Sequence, residues 1–378
     1  MVIALLENLG SDFYKSRIRY ALYLKSLGYS VYAVVPDDGY LNNIKSCGIK
    51  IISVSNNIRG FGKFNKINYA YELIKIFRKY DFDIIHTYKL QPNIIATFIA
   101  GIFLKAKIVN HITGLRRAFN HHTLKYKILQ LITIIFYRTN ELLFEPLSVF
   151  QNHIDNKDLG LSKKVFCVKG SSVNEDRFNT NAVSSEKRKN IVDKFNLLQG
   201  SIITFLFVSR LLEDKGIVHL IEGFKLASKK NKIQLIIVGW FDEFNNSSLN
   251  QTTLQNLIQG SDNIKFLGKQ HDIPEIISLS DISIFPSYYR EGTPRFLLES
   301  MAMKKPIITT RMPGCEHLIF ENKNGFLVQP KSVHSIANSI SKICLRNFNH
   351  MGKVSHQIYH SHFSEKIVFN TLLNLYKI

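Results

Sequence analysis

The sequence predicts an α/β protein of two doubly wound, Rossmann-like domains, and three observations carry that expectation. Short apolar runs alternate with longer amphipathic ones from the first residue onward. Several of the short runs are apolar throughout, as strands buried on both faces of a parallel sheet must be. The alternation halts at one polar interval and restarts, and 378 residues exceed the roughly 250 to 300 at which a single core stops growing.

Val2 to Leu6 reads as the first strand, Tyr14 to Leu27 as a helix and Ser30 to Val35 as the second strand. Ile49 to Val54, Asp83 to Tyr88, Lys107 to Ile112, Leu142 to Phe144 and Lys164 to Val168 continue the strand series. Helical patterns fill the gaps at Ile67 to Lys79, Pro92 to Leu104, Leu124 to Tyr137 and Ser148 to Asp158. The polar interval Ser171 to Asn190, with Asn179, Thr180, Asn181, Ser184, Ser185 and the charged run Glu186 to Lys189, reads as a linker. Beyond it, Ile202 to Val208, Gln234 to Val238, Asn263 to Leu267, Ile282 to Phe285, Pro306 to Thr310 and Gly325 to Val328 read as strands. Val218 to Lys229, Asp272 to Leu279, Arg295 to Met303 and Val333 to Leu345 read as helices. The expected division is 1–175 for the first domain, 176–190 for the linker and 191–355 for the second domain. A last helix within 356–378 could pack back on the first domain. Ligands of such sheets bind outside the carboxyl ends of the strands, so a cleft lined by the segments after Val208, Val238, Leu267 and Phe285 is expected.

Lys and Arg total 49 against 29 Asp and Glu, a balance of +20 that divides as +12 in residues 1–180 and +8 beyond. Such a charge suits anionic lipid or phosphorylated ligands. Neither an aromatic-basic RNA signature nor zinc-finger spacing is present, so nucleic acid is not an expected partner. Cys47, Cys167, Cys315 and Cys344 are scattered without C-x-x-C spacing, and no signal-peptide pattern opens the chain. This implies a reduced, cytoplasmic protein. Its longest apolar stretches, Ile94 to Leu104 and Ile128 to Tyr137, fall well short of the roughly 20 residues a membrane span needs.

The most informative segment is Phe285 to Thr310. A strand ends at Phe285, a loop carries Glu291, Gly292, Thr293 and Pro294, and a helix beginning near Arg295 carries Glu299. Pro suits the missing N–H at a helix start, Gly lets backbone approach a ligand, and the first turn offers N–H groups to phosphate. Glu291 and Glu299, in different elements, can contact two parts of one extended polyhydroxylated ligand such as a sugar nucleotide. A second segment, Ser209 to Gly216, follows an apolar strand and carries Arg210 and Lys215, a planar fork and a point charge suited to a diphosphate.

These residues carry a resemblance. Residues 202–330 resemble the nucleotide-sugar domain of the retaining glycosyltransferases of family four, which have the GT-B fold. The R-x-x-x-x-K of Arg210 and Lys215 and the E-x₇-E of Glu291 and Glu299 match that family's pattern. The strings K-F-L-G, D-I-P-E-I, F-P-S-Y-Y-R-E-G-T-P-R, E-S-M-A-M, M-P-G-C-E and N-G-F-L-V-Q-P resemble its branch that makes capsular polysaccharide, O-antigen and related lipid-linked glycans. In the amino-terminal half the likeness runs through Ser16 and Arg17, His86, Thr87, Pro92 and Asn93, Thr113 to Leu115, and Phe150 to Asn152.

The resemblance implies that Glu299 binds the ribose, that Arg210 and Lys215 hold the diphosphate, and that Glu291 with Gly292, Thr293, Pro294 and Arg295 lies against the donor sugar. It assigns the acceptor side, including Arg17, to the first domain. Thr113 stands where many relatives carry a His, with His111 two residues earlier on the same face of the strand. Gln91 replaces a usual basic residue before Pro92, and Lys89 is its nearest substitute. A metal is not expected: His121 and His122 are adjacent, no D-x-D follows a strand, and the basic residues can neutralise a leaving diphosphate. No cofactor beyond the UDP-sugar donor is implied.

Lys125 to Arg138 combines Lys125, Lys127 and Arg138 with Ile128, Leu131, Ile132, Ile135 and Phe136. This composition fits either an interfacial helix on anionic lipid or a core-packed crossover helix. Together these features imply a retaining transferase that moves a sugar, N-acetylhexosamine by resemblance, from a UDP-sugar to a polyprenyl-diphosphate-linked saccharide at the inner face of the cytoplasmic membrane. A non-hydrolysing sugar-nucleotide 2-epimerase or an inactive membrane adaptor would share the architecture.

Overall fold

The computed structural model describes residues 1–54, 63–115, 119, 123–243 and 245–378, with no side-chain description for 63–65. His121 and His122 lie outside the described residues. The chain forms two compact units, Met1–Ser171 with Lys366–Ile378, and Ser172–Glu365.

The first unit runs β1 (Val2–Leu6), α1 (Gly10–Ser16), α2 (Ile18–Ser26), β2 (Ser30–Pro36), α3 (Leu41–Ser46), β3 (Lys50–Val54), α4 (Lys63–Lys79) and β4 (Ile84–Tyr88). It continues with α5 (Leu90–Phe103), β5 (Lys107–Ile112), α6 (Leu124–Phe144), β6 (Leu147–Phe150), α7 (His153–Leu159) and β7 (Val165–Cys167). The second unit comprises α8 (Ser185–Phe195), β8 (Ile203–Val208), α9 (Ile217–Ser228), β9 (Ile233–Val238), α10 (Gln251–Ile258), β10 (Ile264–Phe266) and α11 (Ile273–Leu279). After these come β11 (Ile282–Phe285), α12 (Arg295–Ala302), β12 (Ile307–Thr310), β13 (Gly325–Val328), α13 (Val333–Cys344) and α14 (Phe348–His362). Helix α15 (Glu365–Leu375) then returns to the first unit, where Val368, Phe369, Leu372 and Leu373 join the core beside Ile3 and Leu5.

All strand pairs are parallel, in the orders β3-β2-β1-β4-β5-β6-β7 and β10-β9-β8-β11-β12-β13. Strand β1 shows why its run is apolar throughout. Ile3 and Leu5 enter one core cluster, while Ala4 and Leu6 enter another with Ile85 and Phe77, so both faces are covered. In each sheet the chain reverses its winding at one point, between β1 and β4 in the first unit and between β8 and β11 in the second. Loops leaving the carboxyl ends of these strand pairs are where ligands of such sheets sit.

Three local expectations are corrected. Leu142 to Phe144 is the end of helix α6, not a strand, and β6 lies at Leu147–Phe150, overlapping the start of the stretch read as helical. Glu145 closes α6 in the left-handed conformation, φ 45°, and Pro146 after it disfavours helix at that position. The helix read over Ser148 to Asp158 is α7 alone, capped by the Asn152 side chain accepting from the Asp155 N–H. The expected linker holds a 3₁₀ turn at Thr180–Ala182 and most of the first two turns of α8. Phe178, Ile191 and Leu197 tie this segment into the second unit's core.

Helix α6 is inverted relative to an ordinary surface helix. Its buried positions are Thr133, Tyr137, Asn140 and Glu141, all polar or bearing a polar tip. Asn140 donates to the Ile94 carbonyl, and Glu141 accepts from the N–H groups of Ser162 and Lys163. Its exposed positions include Leu124, Ile128, Leu131, Ile132, Ile135, Phe136 and Leu142. The core-packed expectation for Ile132 and Ile135 therefore does not hold, since their side chains are about half exposed, 44% and 52%. Exposed Phe98 and Ile102 on the neighbouring helix α5 extend this apolar face. Among the described residues, no helix is long and apolar enough to cross a membrane.

Candidate active site

In the second unit, every donor-site residue expected from the sequence leaves the sheet near the β8–β11 reversal. Strand β8 delivers Arg210, and Lys215 ends a 3₁₀ turn over Glu213–Lys215. Strand β11 delivers the loop carrying Glu291 to Pro294, which opens α12 with Arg295 and Glu299. Two glycines let the loops meet. Gly216 has φ +78°, and a Cβ there would lie 2.1 Å from the Pro286 carbonyl oxygen. Gly314, φ +83°, lies against the backbone of the Glu291 loop, where a Cβ would fall 2.2 Å from the Gly292 oxygen.

Each expected cation has a carboxylate partner. Lys215 and Glu291 form a close ion pair with their side chains 8% and 17% exposed. Arg210 pairs with Asp242 at 2.7 Å, and Arg295 with Glu299 at 3.2 Å across one helical turn. Lys215 also sits 4.6 Å from the Tyr289 ring centroid, which lines its ammonium with a π face. Thr293, mostly buried, places Oγ1 3.5 Å from His317 Nε2. No side chain caps the start of α12 at Pro294. Burial and the nearby Glu291 charge push the Cys315 thiol up to about 12, so it stays protonated and is no nucleophile. The site can therefore gather a diphosphate, a ribose and a sugar by charge, N–H donation and carboxylate acceptance.

Asp242 was not singled out from the sequence. It lies four residues beyond Val238, in a segment expected to face ligand, and that placement was the available signal.

In the first unit, the β1–β4 reversal holds a buried charged cluster. Glu7, directly after β1, has a fully buried side chain, 0% exposed, that accepts from Lys89 at 2.8 Å and Arg17 at 3.4 Å. Lys89 also pairs with Asp12 and adopts φ 71°, a conformation rare outside glycine. The Arg17 guanidinium stacks over the Tyr88 ring at 4.1 Å. Sequence reasoning found Arg17 and Lys89 but missed the carboxylate that joins them.

His111 is buried. Its side chain is 1% exposed and stacks on His86, ring centroids 5.5 Å apart, with Tyr88 alongside at 5.2 Å. Burial holds both imidazoles well below the usual histidine range, so both are neutral near pH 7. His86 Nδ1 shares a hydrogen bond with the Tyr376 hydroxyl, 2.6 Å away, from just past helix α15. Thr113, one residue beyond β5, is half-buried. Among the described residues, no group of three or more His, Cys, Asp or Glu is arranged to hold a metal ion.

Two open parallel sheets, with opposed charges gathered at the winding reversal of the second, have the architecture of the GT-B fold. Residues 188–358 match the family described as glycosyl transferases group 1, and residues 2–145 match the glycosyl transferase 4-like family. The chain belongs to this glycosyltransferase group. It is 26% identical, over 90% of its length and 89% of the relative's, to an N,N'-diacetylbacillosaminyl-diphospho-undecaprenol α-1,3-N-acetylgalactosaminyltransferase of Campylobacter jejuni. It is 23% identical, over 91% of its length and 88% of the relative's, to the capsular polysaccharide biosynthesis glycosyltransferase CapM of Staphylococcus aureus. A glycosyltransferase structure from Rickettsia africae superposes with a TM-score of 0.79 at 22% identity, covering 100% of this chain and 97% of that one. A complex of Anabaena HepE with UDP and glucose superposes with 0.77 at 16% identity, covering 99% and 98%.

Proposed function

We propose that this glycosyltransferase moves an N-acetylhexosamine, with retained configuration, from its UDP-sugar to a polyprenyl-diphosphate-linked saccharide in surface polysaccharide synthesis. The observation that carries the reading is the Lys215–Glu291 pair at the β8–β11 reversal, flanked by Arg210 and by Glu299 on α12. The likeness to the Campylobacter enzyme, named for a diphospho-undecaprenol-linked acceptor, supports the acceptor class, and the likeness to Staphylococcus CapM supports a place in surface polysaccharide synthesis. Lys215 and Arg210 bear the charge growing on the departing diphosphate. Glu299 accepts from the ribose hydroxyls, and Glu291 with Gly292, Thr293, Pro294 and Arg295 lies against the sugar. The acceptor hydroxyl forms its bond to the anomeric carbon on the face from which the diphosphate leaves, and a diphosphate oxygen takes the hydroxyl proton. Arg17, Lys89 and Thr113 serve the acceptor side. A panel of UDP-sugars incubated with membrane lipid extract and read by mass spectrometry tests the reading. UDP release without acceptor, or epimerised donor, would overturn it.

Three expected results follow from these roles. Glu299→Gln should raise the donor KM more than it lowers kcat, because ribose binding is felt equally in ground and transition states, whereas Glu291→Gln should act mainly on kcat. The reverse pattern would exchange the two roles. Transfer should survive excess EDTA, since Lys215, Arg210 and the α12 terminus supply the positive charge; loss restored by Mg²⁺ or Mn²⁺ would refute this.

The third concerns location. We infer peripheral docking on the anionic inner leaflet through the inverted face of α6, because a helix that buries its polar residues and exposes its apolar ones is poorly matched to water. Arg138 is partly engaged within the unit, its Nε donating to the Leu159 carbonyl at 3.2 Å. Lys125 and Lys127 remain, each worth about 1 kcal/mol near an anionic surface. Lys125→Gln with Lys127→Gln should weaken flotation with anionic vesicles, and Ile128→Ser with Ile135→Ser should do so at any salt concentration. Flotation unchanged in both variants would sink the docking model.

A further inference from the structure

Helix α14 carries two histidines one turn apart, His356 and His360. Their Nε2 atoms lie 3.1 Å apart, with ring centroids 4.3 Å apart and planes at 89°. His356 is further organised from behind. Its Nδ1 lies 2.8 Å from the carbonyl oxygen of Ala302, the last residue of α12, onto which α14 packs. That carbonyl is one of those a helix end leaves without an intrahelical donor, so Nδ1–H donates to it. The proton is thereby fixed on Nδ1, and the Nε2 lone pair of His356 is left facing His360. In the metal-free chain His360 Nε2–H donates across the gap.

We propose that His356 and His360 form a chelating site for a late divalent transition-metal cation, Cu²⁺ most tightly and Ni²⁺ next. With metal–nitrogen bonds of about 2.05 Å, a nitrogen separation of 3.1 Å gives an angle of about 98° at a shared ion, suited to two adjacent positions of a tetragonal or octahedral sphere. Binding moves the His360 proton from Nε2 to Nδ1 and turns the two Nε2 lone pairs onto a shared ion, and water fills the remaining positions. The backbone carbonyl behind His356 plays the orienting part that outer-shell partners play for metal-bound imidazoles. The half-buried His356 and exposed His360 leave the ion an open approach, and the nearby Lys304 charge is the local feature opposing it. A bound ion would hold the His356 ring in the orientation in which its Nδ1 meets the end of α12, the helix that bears Glu299. Because the pair lies on α14 and is built from His356, His360 and Ala302 alone, it stands whether or not the transfer reaction proposed above is right.

Tag-free full chain titrated with Ni²⁺ by calorimetry, and with one equivalent of Cu²⁺ by electron paramagnetic resonance, provides the test. Saturable one-to-one binding is expected, with Cu²⁺ hyperfine structure from two equatorial nitrogens. His360→Ala and His356→Ala should each weaken Ni²⁺ binding at least tenfold. His360 is exposed, so its variant should keep the metal-free melting temperature, and metal should raise that temperature only in the parent. Wild-type affinity in His360→Ala, or a Cu²⁺ spectrum unchanged by it, would overturn the proposal.

Discussion

Lys215→Ala should lower kcat/KM by about 10² or more, corresponding to roughly 3 kcal/mol of lost transition-state stabilisation. Two effects add in this variant. On the proposed roles the charge developing on the leaving diphosphate loses a buried cation, and Glu291 loses its Lys215 partner. Arg210 is more exposed and shares its guanidinium with Asp242, so Arg210→Ala should cost less than Lys215→Ala. Initial rates across donor concentrations separate the loss from weakened donor binding. A melting temperature near that of the parent would show that the fold is intact. Turnover of Lys215→Ala within a few-fold of the parent would remove Lys215 from the reaction.

Glu7→Ala should be the most damaging single change to the first unit. Its carboxylate is fully buried and accepts from both Lys89 and Arg17, so removing it takes the carboxylate partner from buried Arg17 and leaves Lys89 with Asp12 at the rim. Losing one partner of a buried pair costs about 3 to 5 kcal/mol, which for a unit of this size lowers the unfolding transition by roughly 10 °C. Asp12→Asn, at the exposed rim of the same cluster, should change stability by about 1 kcal/mol or less. Thermal unfolding of the two variants side by side checks the contrast. An unchanged transition in Glu7→Ala would mean that water already solvates Arg17 and Lys89.

The candidate donor segments were legible because each is contiguous in sequence. Arg210 and Lys215 occupy one loop, and Glu291 to Glu299 one loop and its helix, each announced by the apolar strand before it. The errors fell where local pattern was ambiguous or polarity was reversed. Leu142 to Phe144 is an apolar run that either strand or helix accommodates, and only the Glu145–Pro146 stop shows that it closes a helix. Ile132 and Ile135 fit a core stripe as well as a surface one. What put them outside was the demand of Asn140, Glu141 and Tyr137 for hydrogen-bond partners within the unit: the Ile94 carbonyl, the Ser162 and Lys163 N–H groups, and the Asn93 side chain.

The sequence by itself determined the alternation of strands and helices, two parallel sheets, and the sheet edge from which Arg210, Lys215 and Glu291 project. Those features follow from backbone hydrogen bonding and burial acting over a few residues at a time. Only the tertiary structure decided which charges meet. Glu7 finds Lys89, Arg210 finds Asp242, and His86 finds Tyr376, across separations of tens to hundreds of positions. A buried ionic or polar group is stable only with its partner in place, and which partner arrives is set by the order of the strands and by the return of α15 to the first unit rather than by neighbours along the chain.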